Sequence, residues 1–109
     1  MKICILSDIH GNYDALKKCI EEAKKNDVEI ILCLGDYVGY YYEPEKCIDL
    51  LIKEKAVCIK GNHENILLDL LKDKKKLALF ISKYGSGINL ALKKLKKKHV
   101  NFIKKLDDN

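Results

Sequence analysis

The 109 residues contain no arginine, although 21 lysines give the chain a formal charge of +5. The planar fork that grips phosphate or guanine bidentately is therefore absent. The five cysteines are an odd number and show no Cys-x-x-Cys spacing, which argues against a disulfide framework and against a thiolate zinc site. Cys4, Cys33 and Cys58 instead lie in apolar runs, and Cys19 and Cys47 on the apolar faces of expected helices, where a thiol serves as a small core hydrophobe. No apolar run approaches the roughly 18 residues of a membrane span. The start Met1-Lys2-Ile3-Cys4 lacks the charged-then-apolar lead of a signal peptide. The expectation is a soluble, cytoplasmic chain with no membrane partner. Internal repeats and disordered linkers are missing too, and at this length residues 1–109 should form one compact domain.

Charge is unevenly spread. Residues 1–64 carry nine lysines against twelve acids, and residues 65–109 carry twelve against four. The basic second half reads as solvated helix faces, or as an attraction for a polyanionic substrate. No aromatic residues interleave with Lys72 to Lys76 or Lys93 to Lys98 as a base-stacking platform needs, which argues against nucleic acid as the partner.

Three short apolar runs, Lys2 to Leu6, Glu29 to Leu34 and Ala56 to Ile59, each end in a turn or glycine and read as strands buried on both faces. Between the first two, Leu16, Cys19, Ile20 and Ala23 recur at helical spacing. Between the second and third, Pro44 opens a helix with Cys47, Ile48 and Leu51 inward. The alternation is βαβαβ, hence a parallel sheet with right-handed crossovers. Residues 65–109 read as helices only: Ile66 to Leu71, Leu77 to Ile81, a stripe of Ile88, Ala91, Leu92 and Leu95, and Asn101 to Leu106, with no further strand at Asp107 and Asp108. The expected division is a βαβαβ core over 1–64 and a basic helical tail over 65–109.

Chemistry gathers where the strands end. Asp8 offers a hard oxygen and His10 a borderline nitrogen, a pairing suited to Mn, Fe or Zn, with Gly11 allowing a tight turn. Taken alone, these residues are equally a capping aspartate beside a partly exposed histidine. The second strand delivers Gly35-Asp36 and the third Gly61-Asn62-His63-Glu64, and in a parallel sheet those carboxyl ends share one edge. Asp36 is placed to bridge two cations, and Asn62 to give a neutral oxygen to the second. Two ions about 4 Å apart would activate water between them and clamp a phosphoryl group.

Asp8-Ile9-His10-Gly11-Asn12, Gly35-Asp36-Tyr37-Val38-Gly39-Tyr40 and Gly61-Asn62-His63-Glu64 together resemble the calcineurin-like metallophosphoesterases, closest to their short phosphodiesterase-like branch. The resemblance is strong over residues 1–64 and weak over the tail. It implies the N-terminal half of an αββα sandwich and one or two divalent ions of the Mn, Fe, Zn or Ni class. It also implies that Asp8 and His10 bind the first metal, Asp36 bridges and Asn62 binds the second. His63 would contact the phosphate or leaving group, with Glu64 steering its ring. The substrate would be a phosphomonoester or phosphodiester. Family members carry later histidines ending in a Gly-His-x-His segment, whereas this chain has only His99, in Lys96-Lys97-Lys98-His99-Val100, which reads as a surface or helix-end residue. The chain thus reads as half an enzyme. It could be a phosphoesterase, a non-catalytic metal- or phosphate-binding module, a truncated remnant, or a subunit completed by a second chain. The inner face of the strands that carry Cys4, Cys33 and Cys58 should then be partly uncovered, favouring a homodimer or a complementing chain.

Overall fold

A computed structural model describes residues 1–108. Strand β1 (Ile3–Leu6), helix α1 (Tyr13–Lys25), strand β2 (Ile30–Cys33), helix α2 (Pro44–Lys53) and strand β3 (Val57–Cys58) alternate as expected. Helix α3 (Asn62–Lys72), a 3-10 turn (Lys74–Lys76), and helices α4 (Leu77–Tyr84), α5 (Gly87–Lys94) and α6 (Lys97–Lys105) follow. The strands lie in the order β1-β2-β3, all parallel, with Leu6 opposite Cys33 and Cys33 opposite Cys58. This is an α/β fold, a parallel three-stranded sheet followed by helices.

Local chemistry explains the boundaries. The side chain of Asn12 accepts the Ala15 N–H at 3.2 Å and so caps α1, whose Asp14 lies in the first turn and Lys24 and Lys25 in the last, matched to the helix dipole. Pro44 opens α2, where its missing N–H costs nothing. Asn62, His63 and Glu64 form the first turn of α3 rather than a loop, which fixes their directions by helical geometry.

The strands are covered on one face only, which overturns their reading as buried on both faces and agrees with the expectation of a partly uncovered sheet face. Leu6, Ile31, Cys33 and Cys58 join the core with Leu16, Ile20, Cys47, Ile48, Leu51 and Leu67. On the opposite face Ile3, Ile5 and Val57 remain 50%, 62% and 58% exposed, because no described element packs over them. Cys19 is another correction: it is exposed, since the buried stripe of α1 is Leu16, Ile20 and Ala23, and Cys19 stands at its edge. At the far edge of the sheet, Asp107 forms a single parallel bridge with Ile59, and its carbonyl accepts the Lys60 N–H at 2.7 Å, where no further pairing was expected.

Of the two readings of His99, helix end holds and surface does not. The residue is 1% exposed in the first turn of α6. Its Nδ1 accepts the Lys96 N–H at 2.9 Å, so Nε2 carries the proton and donates to Asp49 Oδ1 at 2.9 Å, tying α6 to α2. That bond also starts α6 at Lys97, four residues before the periodicity suggested.

His99→Leu keeps much of the volume and removes both bonds, and should lower the unfolding free energy by about 1–3 kcal/mol, read as a lower urea midpoint at unchanged slope. Partial burial works to raise the Asp49 carboxyl, but hydrogen bonds from His99 and Lys98 outweigh it and hold the group below its ordinary value. A lowered carboxyl contributes stability above its unfolded value and loses it as pH falls through the lowered one. The gap between variant and wild type should therefore narrow in acid, and equal midpoints at neutral pH would show the contact to be idle.

Candidate metal centre

Parallel pairing continues beyond the strands. The Asp8 N–H donates to the Gly35 carbonyl at 3.2 Å, His10 N–H to Asp36 at 2.7 Å and Gly11 N–H to Tyr37 at 2.7 Å, so the turns after β1 and β2 run side by side. That zipper brings together Asp8, His10 and Asp36, whose ligand atoms all lie within 4.8 Å of one another. All three occupy the left-handed region, with φ of 55°, 48° and 60°. Each such non-glycine residue costs roughly 1–2 kcal/mol, and three in one cluster is strain that the surrounding hydrogen bonds hold in place.

The donors fit a cation. His10 Nδ1 lies 2.9 Å from the Val38 carbonyl, which can only accept, so Nδ1 carries the proton and the Nε2 lone pair is free. Nε2 faces Asp8 Oδ1 at 3.5 Å. Two carboxylates and an unprotonated imidazole nitrogen are the set that binds borderline divalent metals, and a carbonyl orienting the far nitrogen is the usual support for such a histidine. Asp36 Oδ1 accepts the His63 N–H at 2.9 Å at the N-terminus of α3. The end of the Asn62 amide lies 3.0 and 3.2 Å from Asp36 Oδ1 and Oδ2, and hydrogen bonding assigns the NH₂ group to that position. A cation beside Asp36 would let the same amide turn its oxygen inward.

Glu64 does not steer His63. Its side chain is fully buried, and Oε1 accepts the N–H groups of Asp36 and Gly61 at 2.6 and 2.8 Å, while Oε2 accepts those of Tyr37 and Val38 at 2.7 and 3.2 Å. It sets the backbone that carries Asp36, a role that the sequence pattern does not distinguish from a ring partner. Gly35 and Gly61 meet so closely that a Cβ on the first would come within 2.2 Å of the Gly61 nitrogen. His63 is buried, with its ring centroid 4.6 Å from that of His10. Its Nδ1 packs over Gly39, where any Cβ would strike it, and has no hydrogen-bond partner among the described residues. Burial first, then the neighbouring His10, pushes the imidazole below its ordinary value against the pull of Asp36 and Asp8. Sequence reasoning missed Tyr40 and Tyr84, whose rings flank His63 at 5.1 and 5.2 Å. Tyr40 adjoins the second motif, but nothing in the sequence points to Tyr84.

A parallel sheet with carboxylates and imidazoles gathered at its carboxyl edge defines a metal-binding α/β domain. The calcineurin-like phosphoesterase model matches residues 1–107, and the chain belongs to that family. A protein of Methanocaldococcus jannaschii, itself uncharacterised, is 34% identical over 105 residues, 95% of this chain and 41% of that protein. The crystal structure of a metallophosphoesterase from Sphaerobacter thermophilus superposes with a TM-score of 0.75 at 26% identity, over 97% of this chain and 41% of that one. A provisionally assigned diadenosine tetraphosphatase shares the fold at 21% identity and a TM-score of 0.70, over 95% of this chain and 42% of that one. The chain therefore spans well under half the length of these relatives.

The strain gives a direct check. Asp8→Gly and Asp8→Ala both remove the ligand, but alanine keeps the Cβ that disfavours φ 55°. The glycine variant should be the more stable by about 1 kcal/mol in urea unfolding without metal, and an alanine variant of equal or higher stability would show that position 8 carries no strain.

Proposed function

We propose that this chain supplies the first cation site of a metal-dependent phosphoesterase, held by Asp8, His10 and Asp36, and that it serves hydrolysis of a phosphomonoester or phosphodiester. The observation that carries the reading is the three-ligand cluster with the His10 Nε2 lone pair left free by the Val38 carbonyl. A bound ion of the Mn, Fe, Zn or Ni class would neutralise phosphoryl charge and activate water. Asp36, fixed by Glu64 and the His63 N–H, is the group able to serve two ions, with Asn62 as neutral donor to the second. His63 is the group to meet the phosphate or leaving group, and an arriving anion would favour its protonated form.

The second position has only Asp36 and Asn62 among the described residues, so a two-ion clamp needs donors from elsewhere, in a longer chain or a second one. The open sheet face with Ile3, Ile5 and Val57 supports the same view, because apolar surface of that kind favours association with a complementing segment or a second copy. Among the described residues no helix is long and apolar enough to cross a membrane, and a cytoplasmic location belongs to this proposal.

After dialysis the chain should retain about one Mn or Zn ion, and Asp8→Ala with Asp36→Ala should abolish it. Turnover of bis-p-nitrophenyl phosphate should be weak, and His63→Ala should reduce it by about 10² to 10⁴. Metal bound without turnover would favour a binding module. Robust, metal-independent turnover insensitive to His63→Ala would reject the site. Sedimentation across a dilution series reads self-association, and a monomer at all concentrations would count against a second copy as the partner.

A further inference from the structure

His63 is the residue assigned to meet substrate, yet it is 4% exposed. On one side lies Tyr40, 47% exposed at the rim, and on another Tyr84, the last residue of α4, whose ring packs edge-on at 67° and 5.2 Å. Phe80, one turn earlier on the same face of α4, stacks on Tyr84 at 19° and 6.1 Å, and Lys83 Nζ stands 5.3 Å from the Tyr84 ring. One wall beside His63 is therefore supplied by α4, through Tyr84.

That helix is weakly held. None of its residues is fully buried: Leu77 and Phe80 pack only partly against the core, and Leu79 is 66% exposed. Eight residues are too few for a helix to be stable by itself, and α4 rests chiefly on the preceding 3-10 turn and on α5. It is followed by Gly85 at φ +83° with open space where a side chain would be. An element with so few buried contacts opens at a small fraction of the global unfolding cost.

We propose that α4 is a gate over His63 and that Tyr84 is the side chain that closes it, so that Tyr84 sets which phosphoesters reach the imidazole. A leaving group gains His63 by displacing Tyr84 or when α4 swings out on Gly85. The inference rests on the reading of His63 as the group that meets substrate, but its test separates the two.

The test is residue-resolved labelling of the full chain with diethyl pyrocarbonate, read by peptide mass spectrometry. Tyr84→Ala should speed labelling of His63 by about tenfold or more, Tyr84→Phe should keep the wild-type rate, and His99, buried in the first turn of α6, should stay slow in both. In the wild type, low urea should accelerate His99 steeply and His63 only slightly, because one is reached by global unfolding and the other by opening one short helix. This arm needs no variant, so it decides the matter even if Tyr84→Ala fails to fold. Parallel urea slopes, a wild-type His63 as reactive as histidine in a short peptide, or a folded Tyr84→Ala with unchanged labelling would each overturn the gate. Inorganic phosphate added to the Mn-loaded Tyr84→Ala protein should protect His63. Accelerated labelling without that protection would uphold the gate and count against His63 as the phosphate contact.

Discussion

One buried carboxylate holds the candidate centre in shape. Both oxygens of Glu64 are filled by backbone N–H groups, those of Asp36 and Gly61 on one and of Tyr37 and Val38 on the other. A carboxylate in the interior is costly unless paired or fully hydrogen-bonded, and here four donors stand in for water. Burial pushes the carboxyl above its ordinary value and the four donors pull it back. The geometry suits the ionised form, since a proton on either oxygen would face an N–H. Through this residue the turn after β2 is bound to the first turn of α3, and through the backbone zipper it is bound to the turn after β1. Three strand ends thus act as one rigid rim.

Rigidity is what allows the strain at Asp8, His10 and Asp36 to persist. Three left-handed residues would relax in a free loop, but the bonds from Asp8, His10 and Gly11 to Gly35, Asp36 and Tyr37 leave no room for it. The result is a set of donors preorganised for a cation, with the proton of His10 already parked on the nitrogen that faces Val38. Stability given up in backbone conformation would return as affinity for an ion held there, because little ordering would remain to be done on binding.

Much of this was legible in the residues. Asp8, His10 and Asp36 could be gathered because strand runs followed by glycine fix which ends of a parallel sheet carry the chemistry. What periodicity could not supply was anything set by one specific hydrogen bond. Glu64 looked like a partner for His63, since its neighbour in sequence is visible and the four backbone donors from another loop are not. Among its lysines His99 reads as a surface or helix-end residue; it does stand in the first turn of α6, but its bond to Asp49, fifty residues away, keeps it buried. Cys19 fitted a helical stripe but sits one position too far round. Taken alone the strand runs looked buried on both faces, because an apolar run does not say whether anything arrives to cover the second face; the missing later half of the family pattern pointed instead to an uncovered face, and Ile3, Ile5 and Val57 stay open.

The central claim is that one cation is gripped by the ends of β1 and β2. Crystals grown with manganese and measured for anomalous scattering test it most directly. A single strong peak should lie within coordination distance of His10 Nε2, in contact with the Asp8 and Asp36 carboxylates, with any weaker second peak on the Asn62 side of Asp36. A peak elsewhere on the molecule, or none at saturating manganese, would contradict it.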